Sequence, residues 1–175
     1  MATINWSFYY QQLDKVTPLP VDCGRLCGSK CCTEWDNGAG VYLLPGEEQL
    51  FEGLAWCQTV PIPKIEAAFP GEYSYILQCR GKCPRSKRPL LCRTFPLTPH
   101  LKDGKDISLV FDEAGWFICP LVQLGELSRL DPRFVRQVLA VWRQLAEDQA
   151  IHSYILARSK EIDHSRNAPW KKLFF

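Results

Sequence analysis

The cysteines of this sequence are concentrated in two short segments. CGRLCGSKCC, residues 23–32, holds four cysteines within ten residues, and CRGKCPRSKRPLLC, residues 79–92, holds three more. Four thiolates complete a tetrahedral zinc site, and four also hold an iron–sulfur cluster. The same spacing outside a cell would more often mean disulfides. The compartment therefore decides which chemistry these thiols serve.

No signal for export or membrane insertion is visible. The opening MATINWSFYYQQLDK has no basic start and no unbroken apolar stretch. The longest apolar candidate, WFICPLV, is far shorter than the roughly 18 residues that a membrane helix needs. We therefore expect a soluble, cytoplasmic protein, in which reducing conditions favour metal binding or catalysis over disulfides. The odd count of nine cysteines agrees, since complete pairing would leave one thiol over.

Length and composition indicate one globular domain. A chain of 175 residues fits a single domain, 1–175, with a core of its own. Its hydrophobic content of 46% and charged content of 23% are ordinary for a globular protein. The net charge of +2 offers no general case for a nucleic-acid or membrane partner, so any functional charge must be local.

Glycines and a cysteine doublet restrict the geometry of the first segment. Gly24 and Gly28 each follow a cysteine, and glycine costs a helix roughly 1 kcal/mol relative to alanine. We therefore predict a loop of metal-binding knuckles rather than a helix. Adjacent side chains diverge, so Cys31 and Cys32 are not expected to reach one metal together. They would serve two metals, or one would bind while its neighbour supports it.

The second segment is strongly basic. Six cations accompany its three cysteines with no acid among them: Arg80, Lys82, Arg85, Lys87, Arg88 and Arg93. Positive charge favours the thiolate form that a metal requires. Two alternatives stay open, a solvated basic loop and a nucleic-acid module in which these cations and Phe95 contact phosphate. The low net charge ranks the nucleic-acid function last.

The order of the cysteines resembles a known family. Both segments, and RPLLCRTFP at 88–96 above all, are similar to the YkgJ-like cysteine-cluster family, described as a zinc- or iron-chelating domain. The resemblance covers about residues 23–121. One departure is that the family's first cluster is CxxCxxCC, whereas each gap here holds three residues.

This resemblance implies a set of eight metal ligands, for zinc or for iron, including an iron–sulfur cluster. They are Cys23, Cys27, Cys31, Cys32, Cys79, Cys83, Cys92 and Cys119. Eight thiolates suffice for two four-ligand sites, or for one cluster plus a zinc. Some family members are described as flagellin lysine N-methylases, so an iron–sulfur redox or methyl-transfer enzyme is the alternative. The expected partner is a metal ion, and a protein partner stays open.

Two cysteines need separate treatment. Cys57, in GLAWCQT, lies outside the family pattern, and we expect it at a hydrophobic helix end as a buried structural residue. Cys119 stands where the family's eighth cysteine falls. A regular meander would leave it about a strand's length from Cys92, so a bulge or a short strand would have to close that distance.

Other catalytic chemistry finds little support in the sequence. His100, His152 and His164 are expected to be ordinary polar or core residues. No Ser/His/Asp series and no phosphate-binding glycine loop is present, so hydrolase and nucleotide-dependent functions have no residue support.

An α+β fold is expected to position the cysteines. Strands are predicted at 40–44 and 72–77, a short helix from Pro45 to about Gly53, and a linker or edge segment at 60–64. A three-stranded antiparallel meander is predicted from 95–101, 107–111 and 116–119, with positive φ at Gly104 and Gly115. This makes an irregular cysteine-rich region with a small antiparallel β-meander.

The last third of the sequence is expected to be helical over 131–163. Asp131 would cap the helix and Pro132 would lie in its first turn. Apolar residues keep a helical period from Phe134 to Ala146 and continue to Ile162, making one long helix or two with a buried face. The aromatic tail, with Trp170, Phe174 and Phe175, is expected to dock on its own domain.

Overall fold

The computed structural model describes residues 4–33, 40–63, 73–80, 83–102, 104 and 106–167. They combine helices with two small antiparallel sheets, so the α+β class expected from the sequence is confirmed. Within these ranges no helix has the length and apolar character needed to cross a membrane. The prediction for the aromatic tail lies outside the described residues.

Helices and strands alternate in an irregular order along the chain. The helices are α1 Trp6–Leu13, α2 Gly24–Cys27, α3 Lys30–Thr33, α4 Leu90–Thr94, α5 Pro120–Gln123, α6 Pro132–Leu145 and α7 Gln149–Arg166. The strands are β1 Val41–Leu43, β2 Cys57–Pro63, β3 Tyr73–Cys79, β4 Leu97–Lys102 and β5 Asp106–Phe111. Short 3-10 helices span Glu47–Phe51, Arg85–Lys87, Glu113–Phe117 and Leu127–Arg129.

The three-stranded sheet has the order β1-β3-β2, and both of its pairings are antiparallel. The strands predicted at 40–44 and 72–77 are found as β1 and β3. The segment predicted as linker or edge forms β2, which lies at the edge of the sheet as far as the chain is described. An edge tolerates Pro61, because a proline has no N–H to donate to a neighbouring strand. The helix predicted from Pro45 is found as the 3-10 helix Glu47–Phe51.

The predicted three-stranded meander is a two-stranded hairpin of β4 and β5. Gly104 turns between them with a φ of 70°, as expected. The prediction of a third strand at 116–119 is wrong. Asp112 accepts a hydrogen bond from the Ala114 N–H at 3.0 Å and begins a 3-10 helix instead. Local bonding of this kind turns the chain away from β5 before it reaches Cys119.

Gly115 is needed for close packing and not for a positive φ, so that expectation is wrong as well. A Cβ at this position would lie 2.7 Å from Cγ2 of Val122 and 3.0 Å from Cζ of Phe95. Real carbon atoms do not approach so closely, and any side chain here would push the turn off α5. Glycine therefore allows the chain to fold back tightly on itself just before Cys119.

Two helices form the C-terminal part, which settles the choice between one helix and two. Asp131 accepts from the Arg133 N–H at 2.8 Å and Pro132 opens α6, both as predicted. The Asp148 side chain accepts from the Ala150 N–H at 2.9 Å and begins α7. The buried face predicted for this region is found, with Phe134 and Trp142 fully buried.

Buried polar groups join α7 to the hairpin. The Ser159 hydroxyl accepts a hydrogen bond from the Leu101 N–H at 2.9 Å and donates to the Ile155 carbonyl at 2.7 Å. His100 lies 2.9 Å from an Asp163 carboxylate oxygen. These bonds fix where the helix lies along β4, because buried backbone groups need partners.

Removing the Ser159 hydroxyl will weaken this contact. Ser159→Ala leaves the buried Leu101 N–H without its acceptor, so we expect the free energy of unfolding to fall by about 1–3 kcal/mol. Urea denaturation measures the change. Ser153→Ala, on the same helix and only half-buried, is the matched control and should stay within about 0.5 kcal/mol. Equal effects of the two substitutions would contradict the assignment.

Candidate metal centre

The first cysteine segment folds as two short helical turns, so the predicted loop of knuckles is wrong there. Cys23 precedes α2, and Gly28 ends it with a φ of 62°, its N–H directed to the Gly24 carbonyl. Ser29 follows with a φ of 61° before α3 begins. The glycines lie at the two ends of a single turn and not inside a longer helix. The free-energy cost of glycine inside a helix therefore does not apply here. Gly28 instead caps the C-terminus of α2 in a left-handed conformation.

Four cysteines line one small cavity, and we call them the cavity group. They are Cys23, Cys27, Cys31 and Cys119, and they share the cavity with apolar residues that include Phe95 and Leu121. Three of them come from the first segment, while Cys119 arrives from the end of the turn held by Gly115. Because the chain turns back before reaching Cys119, this residue lines the cavity and does not lie on the predicted third strand.

The thiols of the cavity group lie close enough to influence one another. Burial raises the pKa of Cys23, and Asp22, Cys119 and Cys27 raise it further. Burial also raises the pKa of Cys119, and the nearby backbone N–H groups of Val122 and Leu121 oppose this shift. N–H groups at the start of a helix stabilise a thiolate, which is the form that binds metal.

A second set of four cysteines gathers around Arg88, and we call it the Arg88 group: Cys32, Cys79, Cys83 and Cys92. Burial raises the pKa of Cys92, and charge on Cys32, Cys83 and Cys79 raises it further. Burial likewise raises the pKa of Cys79 to about 11, with contributions from Cys83, Cys57 and Cys32. Cys79 and Cys92 therefore both lie near Cys32 and Cys83.

Arg88 supplies the positive charge in this set. Burial lowers its pKa, but Cys32, Cys83 and Cys92 raise it, and the net shift is upward. Arg88 in turn lowers the pKa of the Cys83 thiol, against the burial that raises it. Within the described residues its buried Nε has no hydrogen-bond partner. Arg88 thus keeps donor capacity for negative charge that develops on these sulfurs.

Three other cations of the basic segment form hydrogen bonds to groups other than thiols. Arg93 donates to the Asp14 carboxylate at 2.5 Å and stacks on the Tyr10 ring. Arg85 donates to the Val16 carbonyl at 2.9 Å. Arg80 donates to the Gln58 side chain at 3.2 Å. Lys82 lies outside the described residues.

The doublet connects the two sets. Cys31 and Cys32 are hydrogen-bonded, and this bond is the largest cause of the raised pKa of Cys31, followed by burial. Beyond each other, their neighbours differ. Cys31 interacts with Cys23 and Cys27, whereas Cys32 affects Cys79, Cys83 and Cys92.

Cys57 is the first residue of β2, so the expectation of a helix end is wrong. Its burial is as expected, with 7% of the residue exposed. In the sheet it is the direct partner of Cys79, which places both side chains on one face. Sequence reasoning missed this neighbour of the Arg88 group. The usable signal was the run of β-branched residues after Cys57, which favours a strand.

The donor chemistry fits zinc or an iron–sulfur cluster, but the sulfurs are not yet gathered around one point. All nine cysteines lie in described ranges, and each is a free thiol. Among the described residues, no three or more His, Cys, Asp or Glu side chains are placed so that they could hold a metal ion. Zinc–sulfur bonds are about 2.3 Å long. Binding would therefore require the thiols of a set to move toward one another.

Sequence reasoning also missed Glu47, a fully buried carboxylate beside the Arg88 group. It accepts hydrogen bonds from the Tyr10 hydroxyl, from the Leu44 N–H at 3.0 Å and from the Leu90 N–H at 2.6 Å. Leu90 begins α4, which carries Cys92. Glu47 thus positions the helix that presents this cysteine. Nothing in PGEEQ distinguishes it from the half-exposed Glu48.

Replacing the carboxylate of Glu47 will destabilise the fold. Both of its oxygens accept hydrogen bonds, whereas an amide has only one acceptor oxygen. We expect Glu47→Gln to lower the free energy of unfolding by about 1–3 kcal/mol at neutral pH, measured by urea denaturation. Glu48→Gln is the matched control and should change little. Equal effects of the two changes would contradict the role of Glu47.

The same residue predicts a pH dependence. Burial raises the pKa of Glu47 from 4.5 to about 6, although its hydrogen bonds oppose the shift. Between these pH values the folded chain holds a proton that the unfolded chain has lost. The part of the stability that comes from this raised pKa is present below pH 4.5 and is lost as the pH rises through 6, whereas the hydrogen bonds of Glu47 remain at neutral pH. The stability advantage of wild type over Glu47→Gln should therefore be larger at pH 4.5 than at pH 7, and the reverse order would exclude a raised pKa.

Comparisons of the chain with protein families, curated proteins and solved structures find no match. The resemblance to the YkgJ-like family rests on the cysteine spacing and the RPLLCRTFP motif. The class of site is accordingly argued from the thiols themselves.

Proposed function

We propose that this chain is a metal-binding protein that coordinates zinc or an iron–sulfur cluster through clustered cysteines. The ligands are Cys23, Cys27, Cys31, Cys32, Cys79, Cys83, Cys92 and Cys119. One observation supports the proposal: Cys119, far apart in sequence, lines the same small cavity as Cys23, Cys27 and Cys31, and all four are free thiols. Soft thiolates of this number suit zinc and iron better than harder cations.

The energetics of the thiols support a bound cation. Burial and mutual repulsion raise the pKa of Cys23, Cys79 and Cys92. Crowding so many buried thiols is unfavourable for their charged forms unless positive charge lies among them. A bound metal supplies that charge and displaces the protons. Arg88 provides part of it for one set.

The function belongs to a reducing compartment, and we propose the cytoplasm, where thiols persist without pairing. Three cations of the basic segment are bonded within the chain, at Asp14, Val16 and Gln58. Only the bond to Asp14 neutralises charge, and the low net charge of +2 favours metal over nucleic acid as the partner.

Elemental analysis of anaerobically purified protein tests the proposal. We expect zinc or iron to co-purify, and iron would add a charge-transfer absorbance near about 400 nm. Cys92→Ser should lower the metal content, since it removes a ligand. Cys57→Ala is the control, because it changes a buried cysteine outside the proposed ligands. Protein purified without metal that also fails to take up zinc or iron would disprove the function.

Metal removal should unfold the cysteine-rich part selectively. Structural zinc in small domains contributes roughly 10 to 16 kcal/mol in apparent terms, which matches or exceeds a whole-domain stability of about 5–15 kcal/mol. With a chelator we expect limited proteolysis to cut within residues 23–121, while α6 and α7 persist. A digestion pattern unaffected by the chelator would count against a structural metal.

A further inference from the structure

We propose that Cys57 and Cys79 are a redox-active pair, which a low-molecular-weight disulfide such as oxidised glutathione converts into a disulfide bond between β2 and β3. Cys57 is the one cysteine of the nine that the proposed function leaves without a role. The pairing depends on the backbone geometry of the sheet and requires no metal. Only its effect on a bound metal, through Cys79, rests on the proposed function.

The register of the two strands sets how close these residues come. Cys57 and Cys79 are directly opposite each other in the antiparallel pairing of β2 with β3. Just beyond them, the Arg80 N–H donates to the Trp56 carbonyl at 2.7 Å. In an antiparallel ladder, a hydrogen bond at that place makes the neighbouring opposed residues a non-hydrogen-bonded pair. Cys57 and Cys79 therefore occupy the kind of position at which opposed side chains are closest.

This position has the dimensions of a disulfide. Opposed Cα atoms of a non-hydrogen-bonded pair are about 4.5 Å apart, which lies within the roughly 4.4–6.8 Å that disulfides span. Both side chains also leave the sheet on the same face. The adjacent Cys31 and Cys32 do not meet this condition, because consecutive Cα atoms are only about 3.8 Å apart. The sheet therefore favours a bond between Cys57 and Cys79 over one within the doublet.

The two thiols differ in access to solvent. Cys57 is buried, with 7% of the residue exposed, whereas Cys79 is half-buried. An oxidant in solution therefore reaches Cys79 first. The Cys57 thiol donates to the Phe51 carbonyl at 4.0 Å. Because S–H is a weak donor, rotation of this side chain toward Cys79 gives up little.

The chemistry follows from this difference in access. The Cys79 thiolate attacks one sulfur of oxidised glutathione, forms a mixed disulfide and releases one glutathione thiolate. The Cys57 thiolate then attacks the Cys79 sulfur and releases the second glutathione thiolate. The two cysteines together lose two electrons and two protons, and oxidised glutathione gains them as it becomes two thiols. An excess of reduced glutathione reverses both steps.

Disulfide formation and metal binding compete for Cys79, because a metal ligand must be a thiolate and a disulfide sulfur is not one. Under the metal-binding function proposed above, a more oxidising glutathione pool withdraws Cys79 from the metal, and bound metal protects Cys79 from oxidation. Cys57 thereby links metal occupancy to the redox state of the compartment.

Disulfide mapping in glutathione buffers tests the pair. Purified protein is equilibrated at increasing ratios of oxidised to reduced glutathione, with and without a chelator, and the remaining thiols are then blocked. Cleavage after Lys, Arg and Glu leaves Cys57 as the only cysteine of residues 53–64 and Cys79 as the only cysteine of residues 73–80. Mass spectrometry should find these two peptides linked, as the first disulfide to appear. The link should be lost when the protein returns to reduced glutathione.

The Cys57→Ala variant is the control. It should lose the link while keeping the metal content of wild type. If this variant does not fold, as judged by circular dichroism, the wild-type peptides still decide the question. A link from Cys79 to Cys83 or Cys32, or no link to Cys57 even with the chelator, would overturn the pair.

The outcomes also separate the pair from the function proposed above. A link that needs the chelator supports competition with metal, whereas a link that forms equally well with metal bound would overturn the competition. Protein that forms the link but neither contains nor takes up zinc or iron would overturn the metal-binding function and support the pair.

Discussion

The buried carboxylate of Glu47 is the interaction on which this arrangement depends. A carboxylate placed in an apolar interior is costly unless it is fully hydrogen-bonded. Glu47 meets that condition because it accepts hydrogen bonds from three donors. They are the Tyr10 hydroxyl of α1, the Leu44 N–H just after β1 and the Leu90 N–H at the start of α4. Three segments far apart in sequence must meet around it, and Cys92 is carried into place with α4.

The same point of the structure separates two arginines of the RPLLCRTFP motif. Arg93 lies over the Tyr10 ring at 4.2 Å and bonds Asp14, so it strengthens the joint between α4 and α1. Arg88 instead interacts with Cys32, Cys83 and Cys92. One basic segment thus serves two purposes, because its α4 part is held against α1 while the residue ahead of α4 stays beside the sulfurs.

Turn geometry brings the remaining cysteines in. Antiparallel pairing of β2 with β3 places Cys79 at one end of the sheet, directly opposite Cys57. The turn at Gly115 reverses the chain after β5, because the absence of a side chain lets it pack against Phe95 and Val122. Cys119 therefore reaches the cavity group without the long strand that a meander would have required.

Much of this protein could be predicted from local sequence. The caps Asp131 and Pro132, the turn at Gly104 and the strands β1 and β3 follow from short-range preferences. The α+β class follows from them. The chemistry of dense cysteines is equally local, because it depends on residue type and spacing.

Tertiary structure decided what depends on distant partners. The prediction of a third strand at 116–119 was wrong. The hydrogen bond at Asp112 and the close packing at Gly115 outweighed the strand preference of the apolar residues there. Glu47 and Glu48 look alike in sequence, and only burial gives one of them a role. Such choices arise from packing between remote segments, which no local pattern encodes.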